Sequence, residues 1–230
     1  MKFERVRAVV TGASGGIGQA LAAALHGRGA SVLLVGRNTD ALERARAAIG
    51  DAARVATFAA DLTVERERQA LVAHAVAWDC NLLVNNAGLG DFALLEGQSD
   101  AALERLFAVN TLAPMQLTRA LLPHLRTQPQ AAILNMGSVF GSLGYPGYSV
   151  YSASKFALRG FTEALRREYA DTNLRVLYLA PRSTRTSMNA TAVERMNAEL
   201  GVAMDPPADV AAAACALLAG GRLEAVLGWP

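Results

Sequence analysis

Tyr151 and Lys155 stand four residues apart in Tyr151-Ser-Ala-Ser-Lys155, inside a stretch that reads as a helix over Val150–Tyr169. Residues at i and i+4 share a helix face, so a phenol and an ammonium can point into one site. A cation beside a phenol favours the phenolate and lowers its pKa from about 10, which is one route to a general acid/base near neutral pH. Among 22 basic residues only Lys2 and Lys155 are lysines. Tyr145 and Tyr148 have Ser149 and Ser152 at the +4 position, so neither competes with Tyr151. Taken alone, the pair reads as a surface helix with a snorkelling lysine. Its meaning depends on what else converges on it.

A second chemical signal opens the chain. Thr11-Gly12-Ala13-Ser14-Gly15-Gly16-Ile17-Gly18 follows a strand-like run and leads into a helix. Glycines there permit a tight turn and let backbone N–H groups approach a pyrophosphate, and the helix N-terminus adds a favourable dipole. Many strand-to-helix turns carry glycine for geometry alone, but the place of this one at the start of a βαβ pattern favours a nucleotide. The second strand ends Val35-Gly36-Arg37-Asn38, with no carboxylate before Asp40. An acidic residue at that corner binds the ribose 2′-hydroxyl of NAD. Guanidinium instead binds phosphate bidentately, so Arg37, with Asn38 beside it, favours NADP(H) over NAD(H). A solvated arginine opening a helix is the competing reading.

The elements that must position these residues alternate along the chain. Strand candidates are Val6–Thr11, Ser31–Gly36, Arg54–Ala59, Asn81–Val84, Ala131–Met136, Leu174–Ala180 and Ala225–Leu227. They are nearly continuous apolar runs, as for strands buried on both faces of a parallel sheet. Helical patterns lie near Gly16–Arg28, Asp40–Ile49, Val64–Ala77, Ala101–Arg126, Val150–Tyr169, Ala192–Leu200 and Pro207–Leu218. Seven strands joined by helical crossovers predict an α/β, doubly wound parallel sheet with helices on both faces. With no linker and no repeat, 230 residues read as one domain. The least regular stretch, 182–207, follows a strand's carboxyl end, where such folds bind ligands.

Composition narrows the function classes. Hydrophobic residues make up 52% and charged ones 18%, with a net charge of +2 and no block of like charge. That argues against nucleic acid or a membrane surface as the main partner. No run reaches the roughly 18 apolar residues of a membrane span, and the N-terminus lacks a signal-peptide pattern. A cytoplasmic protein is the expectation. Cys80 and Cys215 show no paired or metal-type spacing, and His26, His74 and His124 lie on helices away from any acidic motif. No metal site is expected.

One ordered set of motifs now runs through nearly the whole chain: Thr11–Gly18, Asp61-Leu62, Asn85-Asn86-Ala87-Gly88, Asn110, Ser138, Tyr151–Lys155, and Pro181 through Thr186. It resembles the short-chain dehydrogenase/reductase family in its single-domain form, and the spacing Thr-Gly-x-x-x-Gly-x-Gly is that of its simple dehydrogenases. The resemblance implies a Rossmann-type NAD(P)-binding domain. Gly12, Gly16 and Gly18 then correspond to the cofactor glycines, with Ser14 and Ile17 in the same loop, and Asp61 and Leu62 to the pair against adenine. The Asn85–Gly88 segment, with Asn86, Ala87 and Gly88 as cofactor residues, supports the nucleotide; Thr186 corresponds to the threonine near the nicotinamide carboxamide, and Pro181 is a further cofactor residue. Asn110, Ser138, Tyr151 and Lys155 correspond to the catalytic tetrad.

The implied reaction interconverts a ketone or aldehyde and an alcohol by hydride transfer. Ser138 holds the substrate oxygen, Tyr151 exchanges a proton with it, Lys155 stabilises the tyrosinate and binds the nicotinamide ribose, and Asn110 orders a water. The resemblance also implies a homodimer or homotetramer. A non-catalytic NADP(H)-binding regulatory or redox-sensing module is the alternative on the same fold. An epimerase or dehydratase shares the Tyr/Lys pair and is a further rival.

Tyr145, Pro146 and Tyr148 are pocket candidates for an apolar or acyl-type substrate, while Met188, Met196 and Met204 read equally as pocket or core. Two departures from the family stand out. Arg182 occupies the position of a usual glycine, where it either places a cation by the pocket or faces solvent. The chain also ends soon after the last strand, so the apolar stretch Ala225–Trp229 needs cover from a neighbour or a further segment.

Overall fold

Successive residues of the central strands send their side chains to opposite faces, and both faces are buried. Ala8 and Val10 pack into one core while Val9 packs into the other; Val32 and Leu34 part from Leu33 and Val35 in the same way, as do Ala132 and Leu134 from Ala131 and Ile133. This period of two, apolar at both phases, is why the strands read as unbroken apolar runs.

The computed structural model describes residues 1–50, 53–186 and 203–228. Seven strands form one parallel sheet: β1 (Arg7–Thr11), β2 (Ser31–Gly36), β3 (Val55–Ala59), β4 (Leu82–Asn85), β5 (Ala131–Met136), β6 (Leu174–Ala180) and β7 (Glu224–Val226). Their order is β3-β2-β1-β4-β5-β6-β7. The direction of winding reverses at β1, which pairs with β2 on one side and β4 on the other. Ligands bind such sheets beyond the strands' carboxyl ends at that switch point. The predicted strands agree with these bounds to within one residue at either end.

Helices α1 (Gly16–His26) and α2 (Thr39–Ile49) cover one face, joined by Pro207–Ala219, here α7. Helices α3 (Glu65–Ala77), α5 (Ala113–Leu125) and α6 (Ser149–Glu168) cover the other, with α4 (Asp100–Phe107) leading into α5. Among the described residues, no helix is long and apolar enough to cross a membrane. The stretch near 182–207, the helix expected at Ala192–Leu200, and Met188 and Met196 lie wholly or largely outside the described residues.

One expectation is corrected. The helix predicted over Ala101–Arg126 is broken into α4 and α5 by a π-helical turn, Ala108–Leu112, with the Ala113 N–H bonded to the Ala108 carbonyl. Pro114 supplies the reason. It has no N–H for the carbonyl of Asn110 four residues back, and its ring crowds that carbonyl. Widening the turn relieves the clash, and such widened turns concentrate at functional sites.

Candidate active site

The β1–α1 cradle is shaped by glycines that have no room for anything else. Gly12 and Gly16 adopt positive φ, +66° and +56°. A Cβ on Gly12 would lie 2.8 Å from Ala87 Cα, and one on Gly18 only 2.3 Å from the Gly12 carbonyl oxygen. Gly15, by contrast, would meet nothing within 4 Å, so the mouth of the loop is open where its floor is closed. Asn86 fastens that floor: its amide donates to the carbonyls of Thr11 at 2.9 Å and Gly12 at 3.3 Å. Thr11 Oγ1 returns the tie by accepting from the N–H groups of Asn86 and Ala87, both at 3.0 Å. The carboxyl ends of β1 and β4 are thereby locked together. Thr186 reaches the same place, with its methyl 3.1 Å from where a Gly16 side chain would begin.

Residues expected around the adenosine end lie along the neighbouring strand ends. Arg37 is exposed at the end of β2, and Ser14 Oγ lies 3.4 Å from the Cβ position of Gly36. Asn38 Oδ1 accepts from the Ala41 N–H at 2.9 Å and caps α2, so helix initiation already accounts for that side chain. Asp61 accepts from the Thr63 hydroxyl at 2.6 Å and its N–H at 2.9 Å. The Thr63 hydroxyl bond leads in holding its carboxyl below the usual range, with Arg37 adding a weaker pull. Leu62 is half-buried against the core, and its carbonyl accepts from Arg68. Ile17, in the first turn of α1, packs against the core, and Pro181 is buried with its carbonyl taken by the Val139 N–H.

Ser138, Tyr151 and Lys155 converge past the end of β5. Ser138 is the N-cap of the 3₁₀ turn Val139–Gly141, its Oγ accepting from the Phe140 N–H at 3.1 Å. That leaves the hydroxyl proton for another acceptor. Tyr151 and Lys155 sit on the first turns of α6, as their spacing predicts. Lys155 is 5% exposed, and its ammonium donates to the Met136 carbonyl at 3.0 Å.

The Tyr151 phenol titrates in the direction opposite to that expected from sequence. Burial pushes the Tyr151 phenol up to about 12, against the hydrogen bond from Ser138 that draws it down. Burial pulls the Lys155 ammonium down to about 8. Lys155 Nζ is 5.8 Å from the Tyr151 ring centroid and committed to a carbonyl. Desolvation therefore outweighs the neighbouring cation in this arrangement.

Asn110 is fully buried within the π turn. Its Oδ1 accepts from the Leu89 N–H at 2.7 Å, and its amide donates to the Leu89 carbonyl at 2.9 Å and Ser154 Oγ at 3.1 Å. Both amide donors are thus spent on the protein. The side chain pins the segment after β4 to α6, and the backbone carbonyl that Pro114 cannot serve is the better candidate to hold a water.

Thr118, Asn135, Thr162 and Ser154 carry no role in the sequence reading. A buried ladder runs from Thr118 through Asn85 and Asn135 to Thr162, with bonds of 3.1, 2.8 and 2.8 Å. It joins β4 and β5, the strands that lead into Asn86 and Ser138, to α5 and α6. The signal was available: Asn135 interrupts the apolar run of β5, and a buried amide must find partners. Ser154, which accepts from Asn110 and donates to the Tyr151 carbonyl at 2.7 Å, carries no such mark.

Beside the triad, Phe92, Phe140, Tyr145 and Tyr148 pack ring against ring, and Phe140 and Tyr148 also touch Tyr151. Arg182, open between two readings, is held bidentately by Asp205, with contacts of 2.7 to 3.0 Å. It is not a free cation. Cys80 and Cys215 are both buried and unpaired thiols.

The short chain dehydrogenase family matches residues 6–197. Nodulation protein G of Rhizobium sp. (strain N33) is 41% identical over 177 residues, 76% of this chain and 71% of that protein. The 3-ketoacyl-(acyl-carrier-protein) reductase of Brucella melitensis, solved in complex with NADH, superposes with a TM-score of 0.89 at 29% identity, covering 98% of each chain. A short-chain dehydrogenase of Sphingobium yanoikuyae, solved with NADPH, gives a TM-score of 0.85 at 26% identity over 97% of this chain and 88% of that one. Fold, motif order and a match across most of its length agree: the chain belongs to the short-chain dehydrogenase/reductase family of oxidoreductases.

Proposed function

We propose that the protein is an NADP(H)-dependent oxidoreductase interconverting a carbonyl and an alcohol, with Tyr151 as general acid/base. The observation that carries this reading is the convergence of Ser138, Tyr151 and a buried Lys155 beside a glycine cradle at the sheet's switch point. The cradle fits a nicotinamide dinucleotide. Its floor would be filled by any side chain on Gly12 or Gly18 while its mouth stays open at Gly15. The first N–H groups of α1 lack helical partners and favour a pyrophosphate. Gly12–Gly18 would hold that group, Asp61 and Leu62 the adenine, Asn86–Gly88 and Lys155 the nicotinamide riboside, and Thr186 its carboxamide. Related structures solved with NADH and with NADPH are in keeping with this use of the site. Exposed Arg37, with no acidic residue before Asp40, favours the 2′-phosphate.

Bound there, the dinucleotide supplies or takes up hydride. The chain's own work is at the oxygen. Ser138 turns its hydroxyl proton from the Tyr151 phenol to the substrate oxygen, as a hydrogen bond that orients it. Tyr151 delivers a proton to that oxygen in reduction and removes one in oxidation. Lys155 holds positive charge beside the phenol, so the phenolate left behind is balanced as it forms. Aimed at developing charge in a site screened from water, such groups are worth several kcal/mol. The substrate is small to medium and apolar, received by the Phe92, Tyr145 and Tyr148 wall.

Tyr151→Phe tests the assignment. Turnover of NADPH with a panel of ketones, aldehydes and acyl thioesters should disappear, while NADPH binding measured by fluorescence should stay near wild type. Turnover close to wild type would sink the assignment.

A further inference from the structure

Tyr178 on β6 is a phenol that the proposed reaction does not use. It is fully buried and pairs in register with Asn135 of β5. Its hydroxyl has no hydrogen-bond partner of ordinary geometry among the described residues. Burial pushes this phenol up to about 12, and the backbone N–H of Ser138 opposes that shift.

The turn that carries Ser138 folds over this ring. A Cβ on Gly137 would lie 2.1 Å from Tyr178 Cζ, and one on Gly141 would lie 2.5 Å from its hydroxyl oxygen. Both glycines have negative or extended φ, so backbone conformation does not require them. The space taken by the phenol does. Ser138 is therefore carried between two residues whose missing side chains are the room that Tyr178 fills. Backbone bonds tie the turn down on either side, Gly137 N–H to the Leu179 carbonyl at 2.7 Å and Val139 N–H to that of Pro181 at 3.0 Å. Behind the ring stands Arg159, 5.9 Å from its centroid, held by Glu224 at 3.0 Å and by Ser142. The phenol is wedged between a fixed guanidinium and the turn.

We propose that Tyr178 is a positioning residue: its ring is the strut that sets the height of the Gly137–Gly141 turn, and so the placement of Ser138 Oγ against Tyr151. This rests on the roles given above to Ser138 and Tyr151. The contribution is the ring's volume, because an unpaired hydroxyl adds no hydrogen bond. Ser138 is also the group that opposes burial at the Tyr151 phenol, so displacing it registers in how Tyr151 titrates. Among the described residues, the other titratable groups about the pair are Tyr148 and Lys155, with Arg159 and Glu224 beyond Tyr178.

The test uses Gly137→Ala, Tyr178→Ala, the two combined, and Tyr178→Phe in the full chain. Each is followed by urea unfolding, by NADPH fluorescence, and by the pH profile of oxidation of the best alcohol found in the panel. Either alanine change alone should lower kcat by tens of fold, on the order of the hundredfold that follows a misplacement of about 1 Å, with NADPH affinity unmoved. The combined variant should recover most of the loss seen in Gly137→Ala, since the added methyl enters the space the ring vacates. Tyr178→Phe should behave as wild type. The limb of the pH profile set by Tyr151 should move to higher pH in the single alanine variants and return in Tyr178→Phe. Undiminished kcat in Gly137→Ala, additive losses in the combined variant, or an unmoved pH limb overturns the proposal. If wild type oxidises and reduces nothing in the panel, the functional reading fails by itself. Non-additive unfolding energies at 137 and 178 would still establish the strut, and additive ones would refute it. Should Tyr178→Ala fail to fold, Tyr178→Leu takes its place in the same cycle.

Discussion

Replacing Lys155 by methionine should make the cofactor-free protein more stable while destroying its proposed activity. The lysine is 5% exposed, and its ammonium has a single hydrogen-bond partner among the described residues, the Met136 carbonyl. Burial lowers its pKa from 10.5 to about 8. At 1.36 kcal/mol per unit, that shift corresponds to about 3 kcal/mol held against folding when the group is charged. The folded pKa lies below the unfolded one, so the penalty is complete below pH 8. It is relieved as pH rises from 8 towards 10.5, where the unfolded chain holds more protons than the folded one. Methionine keeps the length and removes the charge, at the loss of one hydrogen bond worth about 1 kcal/mol. The net expectation at pH 7 is a gain of about 2 kcal/mol, or about 5 °C in Tm for a chain of this size. Urea unfolding of both proteins at pH 7 and pH 10 measures it. The gain should shrink at pH 10, where the wild-type lysine is neutral when folded. A methionine variant less stable than wild type at pH 7, or an equal gain at both pH values, would refute the reasoning. A residue that costs stability and is retained for chemistry is an expected form of the stability–activity trade-off.

Arg37→Ala should reduce the preference for NADPH over NADH, read as the ratio of the two kcat/KM values, and an unchanged ratio would remove the 2′-phosphate argument. Gly18→Ala forces a methyl to 2.3 Å from the Gly12 carbonyl and 2.6 Å from the Asn86 amide. Overpacking costs about 1–3 kcal/mol, only partly offset by helix propensity, so both Tm and NADPH affinity should fall; an unaltered affinity would mean that the cradle floor is not what holds the nucleotide. Asn110→Ala leaves both polar groups of the Leu89 backbone without their partner and removes the amide from which Ser154 Oγ accepts. Because Leu89 is half-buried and water can replace part of the loss, the expected cost is about 2 kcal/mol in urea unfolding. No measurable loss would show that the π turn holds without its amide.

Much of this architecture was legible because it depends on local pattern. The apolar runs of β1 and β2 report burial on two faces, and the spacing Tyr151 to Lys155 reports one helix face. What failed involved groups distant in sequence. Arg182 and Asp205 are 23 residues apart, so an arginine that reads as a free cation is found paired. The Thr118–Asn85–Asn135–Thr162 ladder draws on two strands and two helices, and no spacing rule links them. The break in the helix at Ala108–Leu112 was half legible. Pro114 announces trouble for the carbonyl of Asn110, but the choice between a kink and a widened turn depends on where Leu89 offers its backbone to the Asn110 amide.

The residue types and their order, by themselves, determined a doubly wound sheet, a glycine cradle after its first strand, and a phenol and an ammonium on one helix face. These follow from side-chain periodicity and from the conformations open to glycine, both properties of short segments. Only the tertiary structure decided the electrostatics. It buried Lys155 against the Met136 carbonyl, raised the Tyr151 phenol where sequence predicted a fall, and set Tyr178 beneath the turn bearing Ser138. Desolvation depends on everything packed around a group, and that environment exists only once β5, β6 and α6 have come together.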